Sequence, residues 1–453
     1  MQNKRKGARE IALEILYNVE TKESYSNLEL NFILEKYNPP REERGLATEL
    51  VYGVLRRRNT LDWIIQQFAE RSMDKMTPWI KNILRLSIYQ LLFLERIPVS
   101  AVCNEGVELA KKKGHLGVSK FVNGVLRNIA RSLNNLPWPE EKDLAKYISV
   151  KYSHPYWMVE RWLERLGKEE TIKLCEANNQ NPPLTVRVNT LKTSTKELID
   201  SLTAEGVKSE SSNLVPEAVR IQGASSLKRL ATYQAGLFQV QDESSMLVGY
   251  ALNPQPGETV LDVCSAPGGK TTHLAQLMKN KGKIIANDFY NHKVKLVEES
   301  AKRLGITIID SKVSDARNIK DLFQDKMDRV LVDAPCSGLG VLRRKPDARW
   351  RKNPQDIAEL TDIQLAILQN ASQCVKPGGV LIYSTCSIEP EENMEIIKKF
   401  LEKNKEFELR NLTDFLPPGF KPKRLEQSGY LQIYPHDYQT DGFFLSRLER
   451  KRT

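Results

Sequence analysis

Apolar positions in the first 145 residues recur at intervals of three and four. Ala8, Ile11, Ala12, Ile15, Leu16 and Val19 form one stripe. Leu61, Ile64, Ile65 and Phe68 form a second, and Val118, Phe121, Val122, Val125, Leu126 and Ile129 a third. That spacing puts apolar side chains on one face of an α-helix. Thr77-Pro78 reads as an N-cap followed by proline in the first helical position. Pro39-Pro40, Pro98 and Gly114 separate other helices, and Asn134-Asn-Leu-Pro-Trp-Pro139 reads as an exit linker. The pattern predicts an all-helical bundle over residues 1–145. Residues 146–235 are mixed: a helix over 154–178, a strand over 184–189, a helix over 195–205, and short strands near 213–215 and 218–221. That is a small α+β module of βαββ order. Over 236–453 the period changes again. Residues 259–264, 283–288, 307–310, 328–333 and 379–384 are short, nearly continuous apolar runs with helical segments between them. Such runs are expected of parallel strands covered on both faces. A doubly wound sheet follows, with 442–446 as a final antiparallel edge strand.

Composition narrows the class. No apolar stretch approaches the ~18 residues a membrane helix needs, and no apolar core follows the basic start Met1-Gln-Asn-Lys-Arg-Lys6. The net charge is +11. Residues 1–150 hold 24 Lys+Arg against 18 Asp+Glu, over half of that excess. A polyanion partner or a solvated basic surface would account for it. Arg56-Arg57-Arg58 and Lys111-Lys112-Lys113 carry the same two readings. The cysteines at 103, 175, 264, 336, 374 and 386 include no CxxC pair, and the five histidines no HxxxH pair. Zinc-ligand spacing and a disulfide framework are therefore not expected, whereas reduced cytoplasmic thiols are.

Leu261-Asp-Val-Cys-Ser-Ala-Pro-Gly-Gly-Lys-Thr-Thr272 is a strand, a glycine turn and a helix start. Gly268 and Gly269 let a ligand approach the backbone. Asp288 ends the next strand, Asp315 follows the third and Asp333 ends the fourth. Two functional readings compete. Gly269-Lys270-Thr271 ends like a phosphate-binding loop, but that loop needs glycine where this chain has Cys264. Alternatively, the acids hold the ribose and adenine of S-adenosylmethionine. A tight turn with incidental acids is the third reading, and three acids in register after successive strands weigh against it.

Cys336 in Asp333-Ala-Pro-Cys-Ser-Gly338 and Cys386 in Ser384-Thr-Cys-Ser387 sit at strand ends, where α/β sheets gather chemistry. The side chains of Cys264 and Cys374 read as small core residues. A thiolate adding to C6 of cytosine makes C5 able to take a methyl group. A second polar group near C5 then helps release the product, while an acid such as Asp333 steadies N3 and the exocyclic amine.

These three motifs resemble the signatures of RNA 5-methylcytosine methyltransferases. The layout is similar to bacterial 16S ribosomal RNA (cytosine-C5) methyltransferases with a NusB-like front domain. The resemblance implies a NusB-like all-α bundle, a small RRM-like module and a Rossmann-like class I methyltransferase domain with a mostly parallel sheet. It implies S-adenosylmethionine as cofactor, held by Cys264, Ser265, Ala266, Pro267, Gly268, Gly269 and Lys270, with Asp288 at the ribose, Asp315 at adenine and Asp333 between cofactor and cytosine. Cys386 would be the nucleophile and Cys336 would assist release. DNA cytosine methyltransferases resemble this arrangement but attack with the Pro-Cys thiol. Lys270 would contact cofactor or base. The expected partner is small-subunit precursor 16S rRNA, docked by the NusB-like domain, and the expected enzyme is a cytoplasmic monomer. Arg343, Arg344, Arg349 and Arg351, with Trp350, read as a phosphate-contacting loop or a solvated one. Rival readings are an NTPase and a non-catalytic RNA-binding factor with a degenerate methyltransferase domain.

Overall fold

The three apolar stripes become buried helix faces. In the computed structural model, residues 6–452 are described apart from 224, 225, 424, 427 and 428, so the first five residues of the basic start lie outside the described residues. Two compact units arise: Met1–Gln180 with Leu342–Arg351, and Asn181–Val341 with Lys352–Thr453.

The first unit contains α1 (Ala8–Thr21), α2 (Ser26–Tyr37), α3 (Arg41–Phe68), α4 (Pro78–Phe93), α5 (Val99–Lys113), α6 (Leu116–Arg131), α7 (Leu144–Lys151) and α8 (Tyr156–Asn179), the last interrupted at Gly167. Ile11 and Ile15 of α1, Leu50 and Ile64 of α3, Ile83 of α4, and Val122 and Leu126 of α6 meet in one core and are fully buried. Each such side chain stabilises the fold by about 1.5–3 kcal/mol. Thr77 caps α4, its Oγ1 accepting from Ile80 N at 3.4 Å, with Pro78 in the first turn.

The segment Leu342–Arg351 overturns both expectations for Arg343 and Arg349. Arg343 and Arg349 are buried. The Arg349 guanidinium donates to the carbonyls of Arg56 (3.3 Å), Ser153 (2.9 Å) and Asn178 (2.9 Å) and to Asn179 Oδ1 (2.9 Å). Trp350 Nε1 donates to Leu55 O at 2.6 Å, and Asp347 accepts from Ser26 N and Oγ. A guanidinium has enough rigid donors to reach several carbonyls at once, here one inside α3, one in the turn at Ser153 and one at the end of α8, so Arg349 binds protein rather than phosphate. The first basic triplet is likewise not a free face. Arg56 is buried, Arg57 lies over the Phe93 ring at 4.8 Å and Arg58 over Trp350 at 5.7 Å. Lys111, Lys112 and Lys113 are exposed. Lys111 pairs with Glu108, Lys112 with Glu10, and Lys113 lies over Trp79.

The second unit begins with an antiparallel sheet of order β2-β3-β1-β4, from β1 (Leu184–Val188), β2 (Lys208–Ser211), β3 (Ala218–Gln222) and β4 (Phe238–Val240). Leu198 and Leu202 of the helix Thr195–Ala204 pack on Val186, Val188, Val219 and Phe238. The strand expected near 213–215 lies at β2 instead. This mostly exposed edge strand pairs through backbone, so its sequence Lys-Ser-Glu-Ser carries no apolar alternation. The short β4 was not foreseen.

The larger sheet comprises β5 (Thr259–Asp262), β6 (Lys283–Asp288), β7 (Ile309–Val313), β8 (Met327–Asp333), β9 (Val375–Thr385), β10 (Phe407–Leu409), β11 (Leu425–Glu426), β12 (Tyr430–Ile433) and β13 (Phe443–Arg450). Its order is β11-β12-β13-β9-β8-β5-β6-β7, with β10 also on β13. β5 to β9 pair in parallel and β13 lies antiparallel on β9. Two expectations shift. β7 starts after 307, where the Thr307 N–H is taken by Asn280 Oδ1. β13 is interior rather than an edge: β12 covers its outer side, and Phe443, Phe444, Leu445 and Leu448 are buried. The carboxyl ends of β5, β6, β8 and β9 thus stand side by side, with Asp333 opposite Ser384. No described helix is long and apolar enough to cross a membrane.

Candidate active site

β5 ends at Asp262, and the chain turns into the helix Gly269–Leu277. Gly268 takes φ 98°, and a Cβ there would lie 3.1 Å from Val297 Cα, so this turn requires glycine. Asp288, at the end of β6, accepts from the backbone N–H of Ala266 (3.3 Å) and of Tyr290 (3.2 Å), which fixes the acid against the glycine loop. The Ser265 hydroxyl is buried and has no hydrogen-bond partner among the described residues. Asp262 is fully buried. That burial pushes its carboxyl up to about 7, against a hydrogen bond from Thr271 Oγ1 at 2.7 Å.

A cleft of about 460 Å³ opens beside this loop. Cys264, Ala266, Asp288, Asp315, Asp333, Cys336 and Cys386 all line it. Ser265, Pro267, Gly268, Gly269 and Lys270 belong to the adjoining turn and helix start. Asp315 accepts from Arg317 Nη2 at 2.6 Å, and that hydrogen bond holds its carboxyl below the usual range. Cys264 is half-buried and faces the cleft, contrary to the core placement expected of its thiol; Cys374 is buried in the core as expected. Phe289, Tyr290 and Lys293 also line the cleft. Phe289 and Tyr290 follow Asp288 directly, and that adjacency was the unread signal. The Asp288 carboxylate on the cleft, beside a buried Ser265 hydroxyl without a partner among the described residues, fits a nucleoside-bearing cofactor. Among the described residues, no group of three or more His, Cys, Asp or Glu side chains could hold a metal ion.

The two thiols meet in the lining of this cleft. Cys336 Sγ and Cys386 Sγ are 3.1 Å apart. β8 and β9 are parallel neighbours, so a short overhang beyond each brings the cysteines together. Gly340 holds the second turn. Its N–H donates to Cys386 O at 2.9 Å, and its carbonyl accepts from Gly442 N at 2.8 Å. A Cβ at 340 would fall 2.1 Å from Gly442 O. Lys270 Nζ donates to Asp333 Oδ2 at 2.6 Å, and Ser384 Oγ donates to Asp333 Oδ1 at 2.9 Å. Burial opposes the Lys270 charge, but Asp333 and then Cys386 outweigh it and hold its pKa above the ordinary lysine value. The Cys336 thiol is pushed well above its usual range. Its hydrogen bond with Cys386 is the main cause, followed by burial and the Cys386, Glu392 and Asp333 charges.

Some participants were not read from the sequence. Arg187 of β1 is fully buried and donates to Gly269 O (2.7 Å), Thr272 Oγ1 (3.0 Å), Gln276 Oε1 (3.2 Å) and Gln241 Oε1. It clamps the first turn of the loop's helix. The signal was an arginine in the apolar run Leu184-Thr-Val-Arg-Val188. Ser384 and Glu392 were also missed.

A family profile described as 16S rRNA methyltransferase RsmB/F matches residues 249–449. A NusB family profile matches 6–131, and the ferredoxin-like domain of RsmF/B-like methyltransferases matches 154–228. The probable ribosomal RNA small subunit methyltransferase B of Bacillus subtilis is 43% identical over 451 residues, covering 99% of this chain and 100% of the relative. The chain belongs to the ribosomal RNA small subunit methyltransferase B family. The family member from Cronobacter sakazakii is 34% identical and covers 90% of this chain and 91% of its own length. The crystal structure of PH0851 superposes with a TM-score of 0.81 at 31% identity, over 98% of this chain and 99% of that one. NSun6 from Pyrococcus horikoshii, solved with SFG, gives 0.58 at 26% identity, over 65% and 97%. Membership removes the NTPase reading of Gly269-Lys270-Thr271.

Proposed function

We propose that the protein methylates C5 of a cytosine in small-subunit 16S rRNA, from S-adenosylmethionine, through a covalent bond between Cys386 and cytosine C6. The observation that carries this reading is the pair of thiols 3.1 Å apart at an acid-lined cleft, beside the Lys270–Asp333 pair. Asp288 and the turn 264–270 would hold the cofactor, with Asp315 at its adenine. When bound, S-adenosylmethionine supplies an electrophilic methyl group.

The chain's own residues do the rest. Lys270 places an ammonium within electrostatic reach of Cys386, and a nearby cation favours a thiolate. Cys386 Sγ bonds to C6 and the C5–C6 π pair moves to C5, making it nucleophilic. Asp333, held by Lys270 and Ser384, accepts from the exocyclic amine. Cys336 then has a distinct task. In the adduct Cys386 is a thioether, so its hydrogen bond to Cys336, the first cause of the raised Cys336 pKa, is gone, while burial and the Glu392 and Asp333 charges still raise it. Cys336 takes the C5 proton as its thiolate. The electron pair reforms C5=C6 and the Cys386 Sγ–C6 bond breaks. The helical unit, matched by the NusB profile and basic over residues 1–150, supports RNA docking. The free cysteines suit a cytoplasmic enzyme, and we take it to act as a monomer.

The test is a Cys336→Ala protein incubated with 16S rRNA and S-adenosylmethionine, then denaturing electrophoresis. A cross-linked band that disappears when Cys386 is also changed is the expected result. Undiminished methylation by Cys386→Ala would sink the assignment. A band from Cys386→Ala but not from Cys336→Ala would mean that the thiols exchange roles, as in the DNA enzymes.

A further inference from the structure

Glu392 is a fully buried carboxylate outside the cleft lining. It ends the turn Pro390–Glu392, which follows the Cys386 loop. Its Oε1 accepts from Ser337 N at 2.7 Å and from Gln364 Nε2 at 3.1 Å. Its Oε2 accepts from Ser337 Oγ at 2.5 Å and from Ser387 Oγ. Ser337 directly follows Cys336, and Ser387 directly follows Cys386. Their hydroxyl oxygens are 3.3 Å apart. One carboxylate therefore ties together the residues after both thiols. The next residue reinforces the second turn: Asn393 Oδ1 accepts from Thr385 Oγ1 at 2.6 Å, and its Nδ2 donates to Ser387 O at 3.0 Å. Tyr383 OH anchors the Glu392 carbonyl at 2.6 Å.

We propose that Glu392 is a positioning residue that sets the separation of Cys336 and Cys386 by bridging Ser337 and Ser387. Its charge helps to raise the Cys336 pKa, an effect that Glu392→Ala and Glu392→Gln both remove, so the difference between those two variants reads the tether; it has no role in bond making. A buried carboxylate without a cation is costly unless several donors satisfy it. Its four donors here are neutral, and three of them come from the two cysteine turns. Three of the four donors are thus lost unless both turns are in place, so the energy that keeps Glu392 buried also holds the thiols together. The inference deepens the two-thiol reading and rests on it for its catalytic consequence.

The experiment separates the two, because thiol proximity is read without RNA or cofactor. Diamide joins paired thiols: the sulfurs form a disulfide, and its N=N bond takes up the two electrons and two protons to become a hydrazine. Closure of Cys336–Cys386 is followed by alkylation and mass spectrometry in wild type, Glu392→Ala and Glu392→Gln. Releasing the tether lowers the effective concentration of one thiol at the other. Glu392→Ala should close about tenfold more slowly and lose about 100-fold in kcat, while S-adenosylmethionine affinity stays within about twofold. Glu392→Gln, which keeps the length and one acceptor, should recover much of both. Should Glu392→Ala not fold, the Ser337→Ala/Ser387→Ala double variant cuts the two hydroxyl ties, leaves the backbone N–H of residue 337 on Glu392, and should slow closure by a smaller factor. Closure at the wild-type rate in Glu392→Ala, or in the double variant, overturns the proposal. Slow closure with no methylation in wild type would leave the tether standing and strike the proposed reaction instead.

Discussion

Asp262 shows how burial alters one side chain's chemistry. Its carboxyl titrates at about 7 because burial disfavours the charge, with Asp333 adding to the rise and Thr271 and Lys270 opposing it. The unfolded chain loses that proton near pH 4, so the folded state binds more protons between the two values. Stability is then full below about pH 4 and falls as pH rises through about 7. A displacement of that size corresponds to at most about 4 kcal/mol. Asp262→Asn keeps an acceptor for Thr271 and has no charge to bury. It should flatten the fall between pH 4 and 8 and be the more stable protein at pH 8. Denaturant melts across that range check this; parallel profiles for the two proteins would mean that the carboxyl titrates normally.

At the scale of elements, the helix Gly269–Leu277 depends on a partner far back in the chain. Arg187 on β1 supplies donors to its first turn, and burial lowers the guanidinium pKa to about 9. Arg187→Met leaves those acceptors buried without donors and should cost about 3 kcal/mol of stability. It should also weaken binding at the proposed S-adenosylmethionine site, because Gly269 starts the helix that follows the turn 264–268. Calorimetric titration reads the second effect separately from melting. An unchanged affinity would confine Arg187 to folding. The same elements show what sequence reasoning reaches. The stripes of α1, α3 and α6, the apolar runs of β5, β6, β8 and β9, and the acids and thiols at strand ends could all be read, because each is a local pattern whose period matches its element. β2 could not, since an exposed edge strand has no side chains to bury. The interior position of β13 depended on β12, which its own sequence does not encode. Arg187, Arg349 and Glu392 escaped because a buried charge is defined by partners tens or hundreds of residues away, and by itself looks like a surface residue.

For the whole molecule, the exposed charge is what the proposed docking of RNA would draw on. Lys111, Lys112 and Lys113 are the exposed basic triplet, while Arg56 is buried and Arg57 and Arg58 lie against rings. Replacing the three lysines by glutamine should lower the slope of log affinity against log salt by about 0.7–0.9 for each phosphate that the lysines neutralise. Titrations of 16S rRNA at several salt concentrations measure it; an unchanged slope would make the triplet a solvated helix face. Substitution is a cleaner probe than removing residues 1–145. That truncation would also strip Leu55 and Arg56, whose carbonyls hold Trp350 and Arg349.

The segment Leu342–Arg351 also bears on how the protein is made. Although its other residues end at Gln180, the helical unit includes ten residues that are translated much later. A nascent chain must lengthen by about 170 residues, roughly ten to thirty seconds of synthesis, before that segment can join it. Until then the carbonyls of Arg56, Ser153 and Asn178 lack their arginine, and the cleft between α1, α3 and α4 lacks Trp350. A unit whose other residues all precede Asn181 is therefore finished only after residue 351, and its completion reports that Cys336, six residues before the segment, has already been synthesised.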